Sequence, residues 1–588
     1  MPRKFFQIGF NKCGTTFIAR LFDMNNIPAV HWLEGDLAED IAYSKLVGRP
    51  PLQRWAADTV AFTDMESVRY LNMPVVEAFR EYAFLDQSFP GSVFLLNTRR
   101  VEDWIISRYM HRGGSYARAY AQILGVSVGD LADIWKEDWD AHLSGCRAYF
   151  GSRPEFIEID IDEATPEDYR AALSPWFDLP HCPTLPGKKV RQKRASYLPK
   201  LERMLTTSDP GAAIPEKRRE AVAKELARFA RPARLGFESV GFRACSGLLV
   251  RFDAAKGEIR DRDNQLLPIR RGAGGRYHAD PAFSEIRPVI STVNDIAEVT
   301  DDGVYHLDMR RACLAGSTDE KAVAHPIIAP SRRSGAENVF LWPMPWQHRL
   351  GSDGLPGMPL RKEAPFAEKL DRAIWRGGLS GYALGEDGPD LARPVRDAIE
   401  AVLGARDNSS SYINGLISLR DSSRIAFVAA HADSADVDAR FTPDAHSEKA
   451  LRKAGLDSLV TSKADDDFLF SHRYIIALGG SAGTEDFLVA ANSQSVVLKE
   501  EDGWKLFHSS LFRPWEHYVP LQWAAADLEE KLDWARSNPD ACQAMSDAAR
   551  KLCEALADPA GRRMHLERVL SDYRSAMGQA GQGESGRT

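Results

Sequence analysis

Residues 5–22 read FFQIGFNKCGTTFIARLF, and this stretch decides the reading of the N-terminal half. An apolar run stops at Gly9. Small and polar residues follow, and from Thr15 onward Phe17, Ile18, Leu21 and Phe22 fall on one helical face. A strand that feeds a helix through a glycine turn suits a phosphate-like group. Backbone N–H groups are free there, and the helix dipole adds partial positive charge. Gly9 and Gly14 have the spacing of G-x-x-x-x-G-K-[ST], but Thr15 follows Gly14 and the lysine stands at position 12. No clear acidic strand follows to complete a magnesium site. A nucleoside-kinase-like enzyme is therefore the competing reading, and the place of Lys12 argues against it.

Working outward, residues 1–180 alternate strand and helix patterns. IPAVHW, VAFTDM, SVFLLNT and EFIEIDI read as strands, and DLAEDIAYSKLVG and VEDWIISRYMH as helices. That alternation implies βαβ units and a mostly parallel sheet. In FLLNTRRVEDWIIS, Arg99 ends a strand and Ser107 lies eight residues on.

Lys12, Cys13, Gly14, Thr15 and Thr16 match Lys-x-Gly-Thr-Thr, and Arg99 with Ser107 forms a second motif. In these motifs residues 3–190 resemble the sulfotransferase family, whose donor is 3′-phosphoadenosine-5′-phosphosulfate (PAPS). The resemblance implies a P-loop-like parallel-sheet domain. It implies that Lys12 neutralises charge on the oxygen leaving sulfur, and that Arg99 and Ser107 hold the 3′-phosphate. The base that takes the acceptor proton is a His or carboxylate; His31, Asp64 and Glu66 are the candidates. GKKVRQKR (187–194) is similar to the family's late basic segment.

The second half restarts the alternation. VYHLDM, HPIIAP, NVFLWP, AIWRGG, RIAFVAA, RYIIALGG and SVVLKE read as strands; TEDFLVAAN and DLEEKLDWARS read as helices. AIWRGGLSGY (373–382) ends a strand in Arg376, Gly377 and Gly378, a turn suited to a diphosphate. DVDARFT (436–442), HRYIIALGG (472–480), ANSQSVVLKEE (491–501) and LFRPWEHYVPL (511–521) follow in order. That series resembles glycosyltransferase family 90, over roughly residues 250–570. The family includes capsule xylosyltransferases and protein O-glucosyl- and O-xylosyltransferases. The resemblance implies a GT-B-type fold with two Rossmann-like halves and a UDP-sugar donor used without a metal. It places Arg376, Gly377, Gly378 and Arg393, with Arg396 beside it, near the donor phosphates, and Asp308 as the base. Glu485 and Asp486 stand where the pattern usually has Arg or Lys. His517 reads as structural.

The bulk composition narrows the classes further. The chain has 588 residues, enough for several domains, and a net charge of -8, so no global basic field points to nucleic acid. The seven cysteines form no CxxC pair, so neither a zinc site nor a disulfide framework is expected. No signal-peptide pattern or long apolar run is visible, so a cytoplasmic protein is expected, with peripheral membrane contact left open.

The expected domains are 1–205 (sulfotransferase-like), 206–245 (connector), 246–576 (glycosyltransferase-like) and 577–588 (disordered tail). The expected function is sulfuryl transfer from PAPS plus glycosyl transfer from a UDP-sugar, with xylose or glucose as the sugar and a glycan or glycolipid acceptor, in surface polysaccharide synthesis. The alternative is that one half is a non-catalytic glycan- or nucleotide-binding module.

Overall fold

The computed structural model describes residues 3–69, 71–184, 189–206, 214–235, 249–310, 323, 325–347, 363–386, 388–462, 466–481, 483 and 486–585. They form two compact units. The first comprises Met1–Ala212, Gly257–Ile259 and Leu266–Asp301, and the second Ala213–Lys256, Arg260–Gln265 and Asp302–Thr588. Both are α/β with parallel strand pairs.

The first unit is built on β1 (Phe5–Gln7), β2 (Ala29–His31), β3 (Ala61–Thr63), β4 (Val93–Thr98) and β5 (Phe156–Asp160). Their spatial order is β2-β3-β1-β4-β5, and every pair is parallel. Phe5, Phe6, Ile8 and Phe10 are fully buried. The strand period of two sends alternate side chains to opposite faces. Phe5 meets Phe22 at 4.6 Å between ring centroids, on the face covered by helix α1 (Thr15–Asp23). Phe6 packs instead between Phe62 and Phe94 at 5.4 and 5.5 Å. That second face is covered by α2 (Asp36–Val47), α3 (Val101–Tyr109), α4 (Ser115–Leu124) and α5 (Leu131–Phe150). In α5 the helical spacing of Trp135, Trp139, Cys146 and Phe150 makes the buried stripe.

Residues 266–301 complete this unit, beyond the sequence-based boundary. The helix Arg287–Val299 is tied to α2 by Arg287, which pairs with Asp36 and Glu39 at 2.5 and 3.1 Å. Its buried face mixes Val289, Ile290, Val293 and Ile296 with polar residues that are hydrogen-bonded. The Asn72 N–H donates to Ser291 Oγ at 2.9 Å, Asn72 Nδ2 to Asp295 at 2.9 Å, and Asn294 Nδ2 to the Asn72 carbonyl at 2.7 Å. Those partners are non-local, so their joining is not visible as a local pattern.

The second unit holds two sheets. In one, β6 (Val250–Asp253) runs antiparallel to β7 (Val304–Leu307), and β7, β8 (Ile327–Ala329) and β9 (Val339–Leu341) are parallel. The other is fully parallel, in the order β11-β10-β12-β13-β14: β10 (Leu370–Gly377), β11 (Val437–Phe441), β12 (His472–Ala477), β13 (Val496–Glu500) and β14 (Val519–Leu521). A short antiparallel pair, Ser331–Arg333 with Trp504–Leu506, joins the two halves of the unit.

One expectation is corrected here. RIAFVAA was expected as a strand, but Ser423–Ala430 is a helix. Ser422 caps it by accepting from the Ile425 N–H, and a short apolar run by itself does not distinguish strand from helix. The last helix runs over Pro559–Ser585.

Arg332 fixes the helix Glu216–Ala230 to β9. Its guanidinium donates to the carbonyls of Phe229, Ala230, Arg231 and Val339 at 2.6–3.3 Å. Burial pulls this arginine down to about 10, and the carbonyl end of a helix is the favourable place for such a cation. Arg332→Ala should strand these buried carbonyls and cost the second unit about 3 kcal/mol. Amide exchange in Glu216–Ala230 should quicken accordingly, with the amides of β1–β5 unchanged.

Candidate functional site

In a parallel α/β sheet, ligands bind beyond the carboxyl ends of the strands. In the first unit, β1 ends at the loop before α1, β2 ends at His31, β3 leads to Asp64 and β4 to Arg99. Lys12, His31, Asp64 and Arg99, each chosen from a separate motif, thus share one edge of the sheet.

The loop is shaped by side chains that hold its carbonyls. His142 Nε2 bonds the Ile8 carbonyl at 2.7 Å, and Gln7 Nε2 donates to that of Gly9. Trp104 Nε1 donates to the Asn11 carbonyl at 3.1 Å, Arg99 Nη1 to that of Lys12 at 2.9 Å, and Asn97 Nδ2 to that of Cys13. The Gly14 carbonyl accepts from the N–H groups of Phe17 and Ile18, at 2.9 and 3.2 Å. A trans peptide points its N–H opposite to its carbonyl. With the carbonyls of residues 11–14 drawn into the protein, the N–H groups of Lys12, Cys13, Gly14 and Thr15 turn the other way. Left-handed φ at Lys12 (64°) and Gly14 (85°) curves this run into a concavity of backbone N–H groups at the start of α1, a shape suited to an anion. Among the described residues, no side chain caps that helix end. Gly9 is required by close approach, because a Cβ there would overlap the Asn97 side chain.

Polar side chains ring this cradle. Lys12 Nζ lies 3.1 Å from His111 Nδ1. Burial lowers Lys12 from its ordinary value, with Asp64 and Glu66 opposing and Arg112 and Arg99 assisting. Burial, then the charges of Lys12 and Arg112, brings His111 down to about 4, so the imidazole is neutral and accepts from the ammonium. His31 Nδ1 lies 3.0 Å from Thr63 Oγ1, and its Nε2 lies 3.7 Å from Asp64 and 3.4 Å from Thr16 Oγ1. Asp64 takes a left-handed φ of 56°, and burial raises its carboxyl while His31 and Lys12 draw it back.

Glu66 sits behind the loop. It accepts from the Asn11 amide, from Arg108 at 2.6 Å and from Tyr116 at 2.7 Å. Arg108 is fully buried among Trp104, Trp135, Tyr116 and Tyr120 and also reaches Glu77 at 3.1 Å. Glu66 is thus a supporting residue for Asn11 and the loop. Arg99 is largely buried, bonded to the Lys12 carbonyl and 3.7 Å from Asp162, so its recorded bonds brace the loop. Ser107 is half-buried on α3. Cys13 is fully buried, and burial pushes its thiol up, which leaves it unreactive. In GKKVRQKR, residues 187 and 188 lie outside the described residues, and the rest opens the helix Lys189–Thr206.

In the second unit, the turn after β10 also lies at a carboxyl edge. Arg376 is bound to Asp438, at 2.8 Å to its carboxylate and 2.7 Å to its carbonyl. Burial would raise Asp438, but the Arg376 hydrogen bond overrides it and holds the carboxyl below its usual range. Gly378 is exposed with open space around it, whereas a Cβ at Gly377 would stand 2.6 Å from the Trp375 ring. Arg393 is paired with Asp390 at 2.7 Å and Asp421 at 3.4 Å, and donates to the Leu384 carbonyl at 2.9 Å. Arg396 is exposed on the helix Val395–Gly404.

Sequence reasoning missed Arg424, which clamps this edge by donating to the carbonyls of Gly378, Leu478 and Gly479 at 2.8–3.0 Å. It also missed Glu500, a buried carboxylate that accepts from the N–H groups of Gly479 and Ala524 at 2.6 Å. Burial, with Asp502 adding like charge, pushes Glu500 up to about 7. Asp308 follows β7 and is fully buried; Arg310 approaches one carboxylate oxygen at 3.4 Å, and the other has no hydrogen-bond partner among the described residues. Arg311 and Glu485 lie outside the described residues, and Asp486 is exposed. His517 accepts from the Arg513 N–H at 3.0 Å in a buried turn.

Among the described residues, no group of three or more His, Cys, Asp or Glu side chains is placed to hold a metal ion, and no helix is long and apolar enough to cross a membrane.

Comparison with known proteins bears on the second unit. The family model of glycosyl transferase family 90 matches residues 405–558, which includes β11 through β14. Protein O-glucosyltransferase 3 of Rattus norvegicus is 29% identical over 126 residues, 21% of this chain and 23% of that protein. Uncharacterized protein 035R of Invertebrate iridescent virus 3 is 28% identical over 102 residues, 17% of this chain and 9% of the relative. Uncharacterized protein 179R of Invertebrate iridescent virus 6 is 40% identical over 58 residues, 10% of this chain and 5% of the relative. The matched segments span less than a quarter of each of these relatives.

The raised Glu66 carboxyl makes the loop support depend on pH. The fold prefers its neutral form, so this contribution is complete below the ordinary value of 4.5 and is lost as pH rises through about 7. Exchange protection of the β1 and β3 amides should therefore fall between pH 5 and pH 8. Glu66→Gln should flatten that fall, while the separate contribution of Glu500 in the second unit persists.

Proposed function

We propose that the second unit transfers a glycosyl group from a UDP-sugar to a hydroxyl of a glycan, and that the first unit transfers a sulfuryl group from PAPS. For the glycosyl step, the support is the family 90 match together with a parallel sheet whose carboxyl edge gathers Gly378, Arg424 and Glu500. The resemblance behind the expected GT-B arrangement gives Asp308 the role of base. Its buried oxygen, without a hydrogen-bond partner among the described residues, suits a carboxylate that accepts a proton from the acceptor hydroxyl.

For the sulfuryl step, the observation that carries the reading is the inward-held loop carbonyls. They leave four successive N–H groups and Lys12 to meet a doubly charged oxyanion. The residues present fit a phosphosulfate. The N–H run holds the phosphate oxygens, and the Lys12 ammonium neutralises charge on the oxygen that leaves sulfur. His31 takes the proton of the attacking hydroxyl, and Asp64 at 3.7 Å stabilises the imidazolium. The sulfuryl group passes to the acceptor oxygen as its O–H proton passes to His31, and adenosine 3′,5′-bisphosphate (PAP) leaves.

A second reading makes the C-terminal unit a binding module. It is favoured by Arg376, which is committed to Asp438 in this structure. UDP titration of the full chain, with UDP-sugar turnover, separates the two readings. Glycosyl transfer requires saturable UDP binding that Arg424→Ala abolishes together with slow turnover of a UDP-sugar; a nucleotide-binding module binds UDP without that turnover, and a glycan-binding module binds none.

Labelled PAPS tests the first unit. Lys12→Ala should stop sulfuryl transfer and leave the fold intact. Arg99→Ala should weaken PAP binding by about 1.5–3 kcal/mol through the loosened loop. Full turnover in Lys12→Ala would remove the assigned role.

A further inference from the structure

Among the described residues, Lys12, Arg99 and Arg108 around the first-unit cradle have recorded partners, and Arg112 differs. Lys12 meets His111, Arg99 holds the Lys12 carbonyl and Asp162, and Arg108 is spent on Glu66 and Glu77. Arg112 is exposed, and no acceptor for its guanidinium is recorded among the described residues. It follows His111 directly in the chain, and its charge is felt by Lys12 and by His111.

Its position is held rather than random. The guanidinium lies over the ring of Trp32, 5.0 Å from the centroid. Trp32 itself follows His31 at the end of β2, and its N–H is bonded to the Thr63 carbonyl at 3.1 Å. Both turns carry left-handed backbone. Arg112 has φ 50° and is followed by Gly113 and Gly114 at 65° and 89°; Trp32, Leu33 and Glu34 have φ 61°, 47° and 55° before Gly35 at 89°. Each non-glycine residue in that region costs about 1–2 kcal/mol, so the packing over-determines two strained turns that meet through this pair. Such strain collects at ligand clamps. A guanidinium stacked on an aromatic face keeps its N–H edges free for a planar oxyanion.

We propose that Arg112, steadied on Trp32, is the specificity point for the acceptor: it grips an oxyanion carried by the acceptor sugar beside the reacting hydroxyl. The inference rests on the sulfuryl-transfer reading and names its substrate class, an acidic glycan rather than a neutral one. The donor's own phosphates would be the other source of the same chemistry, and the test separates the two.

The full chain is titrated with three probes: a glucuronate-containing tetrasaccharide, the same tetrasaccharide with its carboxyls reduced to alcohols, and PAP. The wild type should bind the acidic form at least tenfold more tightly than the reduced form, a preference weakened by salt. Arg112→Ala should erase that preference and leave PAP affinity within about twofold. Arg112→Lys, which keeps the charge but not the fork, should restore only part of it. Trp32→Ala should weaken the acidic probe alone. Equal wild-type affinity for the acidic and reduced forms, or an equal loss of PAP and acidic probe in Arg112→Ala, would overturn the proposal. Wild-type PAP binding tests the sulfuryl-transfer reading on its own.

Discussion

The first unit depends on one constraint: buried side chains must satisfy the carbonyls of the loop between β1 and α1. Gln7, Asn97, Trp104, His142 and Arg99 come from two strands, two helices and the turn after β4, yet all donate to or meet the same short stretch. An unsatisfied buried carbonyl costs about 1–3 kcal/mol, so the set fixes the loop tightly. The peptide planes then leave no choice for the N–H groups, which face away from the protein. Positive charge is thus built from backbone geometry before Lys12 is counted. The aromatic cage around Arg108 and the Glu66 carboxyl lie one layer further back, where Glu66 meets Asn11.

The same principle runs through the second unit with different parts. Arg424 spans the ends of β10 and β12 by gripping three carbonyls, and Glu500 answers from β13 by accepting two N–H groups. The edge is organised by charged side chains that bind backbone. Arg376 and Arg393 are already paired with carboxylates, so the open face at Gly378 is set by backbone and by Arg424.

Much of this was legible in the sequence, and the limits are physical. The strand–turn–helix at residues 5–22 and the alternation after it are local patterns, and they place Lys12, His31, Asp64 and Arg99 at strand ends. What was missed acts over long sequence separations. Asn97 reaches Cys13, and Trp104 reaches Asn11, across more than eighty residues, and His111 finds Lys12 across ninety-nine. One signal was present: Gln7 and Asn97 are polar residues inside apolar strands, and a buried polar group needs a partner. Arg393 was chosen by nearness in sequence to the β10 turn, whereas Arg424, thirty-one residues further on, is the arginine that holds that turn. RIAFVAA failed as a strand because its cap, Ser422, precedes the apolar run.

The proposed phosphate cradle consists of the N–H groups of Lys12, Cys13, Gly14 and Thr15. Residue-resolved hydrogen exchange of the full chain, with and without adenosine 3′,5′-bisphosphate, measures it directly. Exchange at those four amides should slow when the nucleotide binds. Binding of the nucleotide with exchange there unaltered would contradict it.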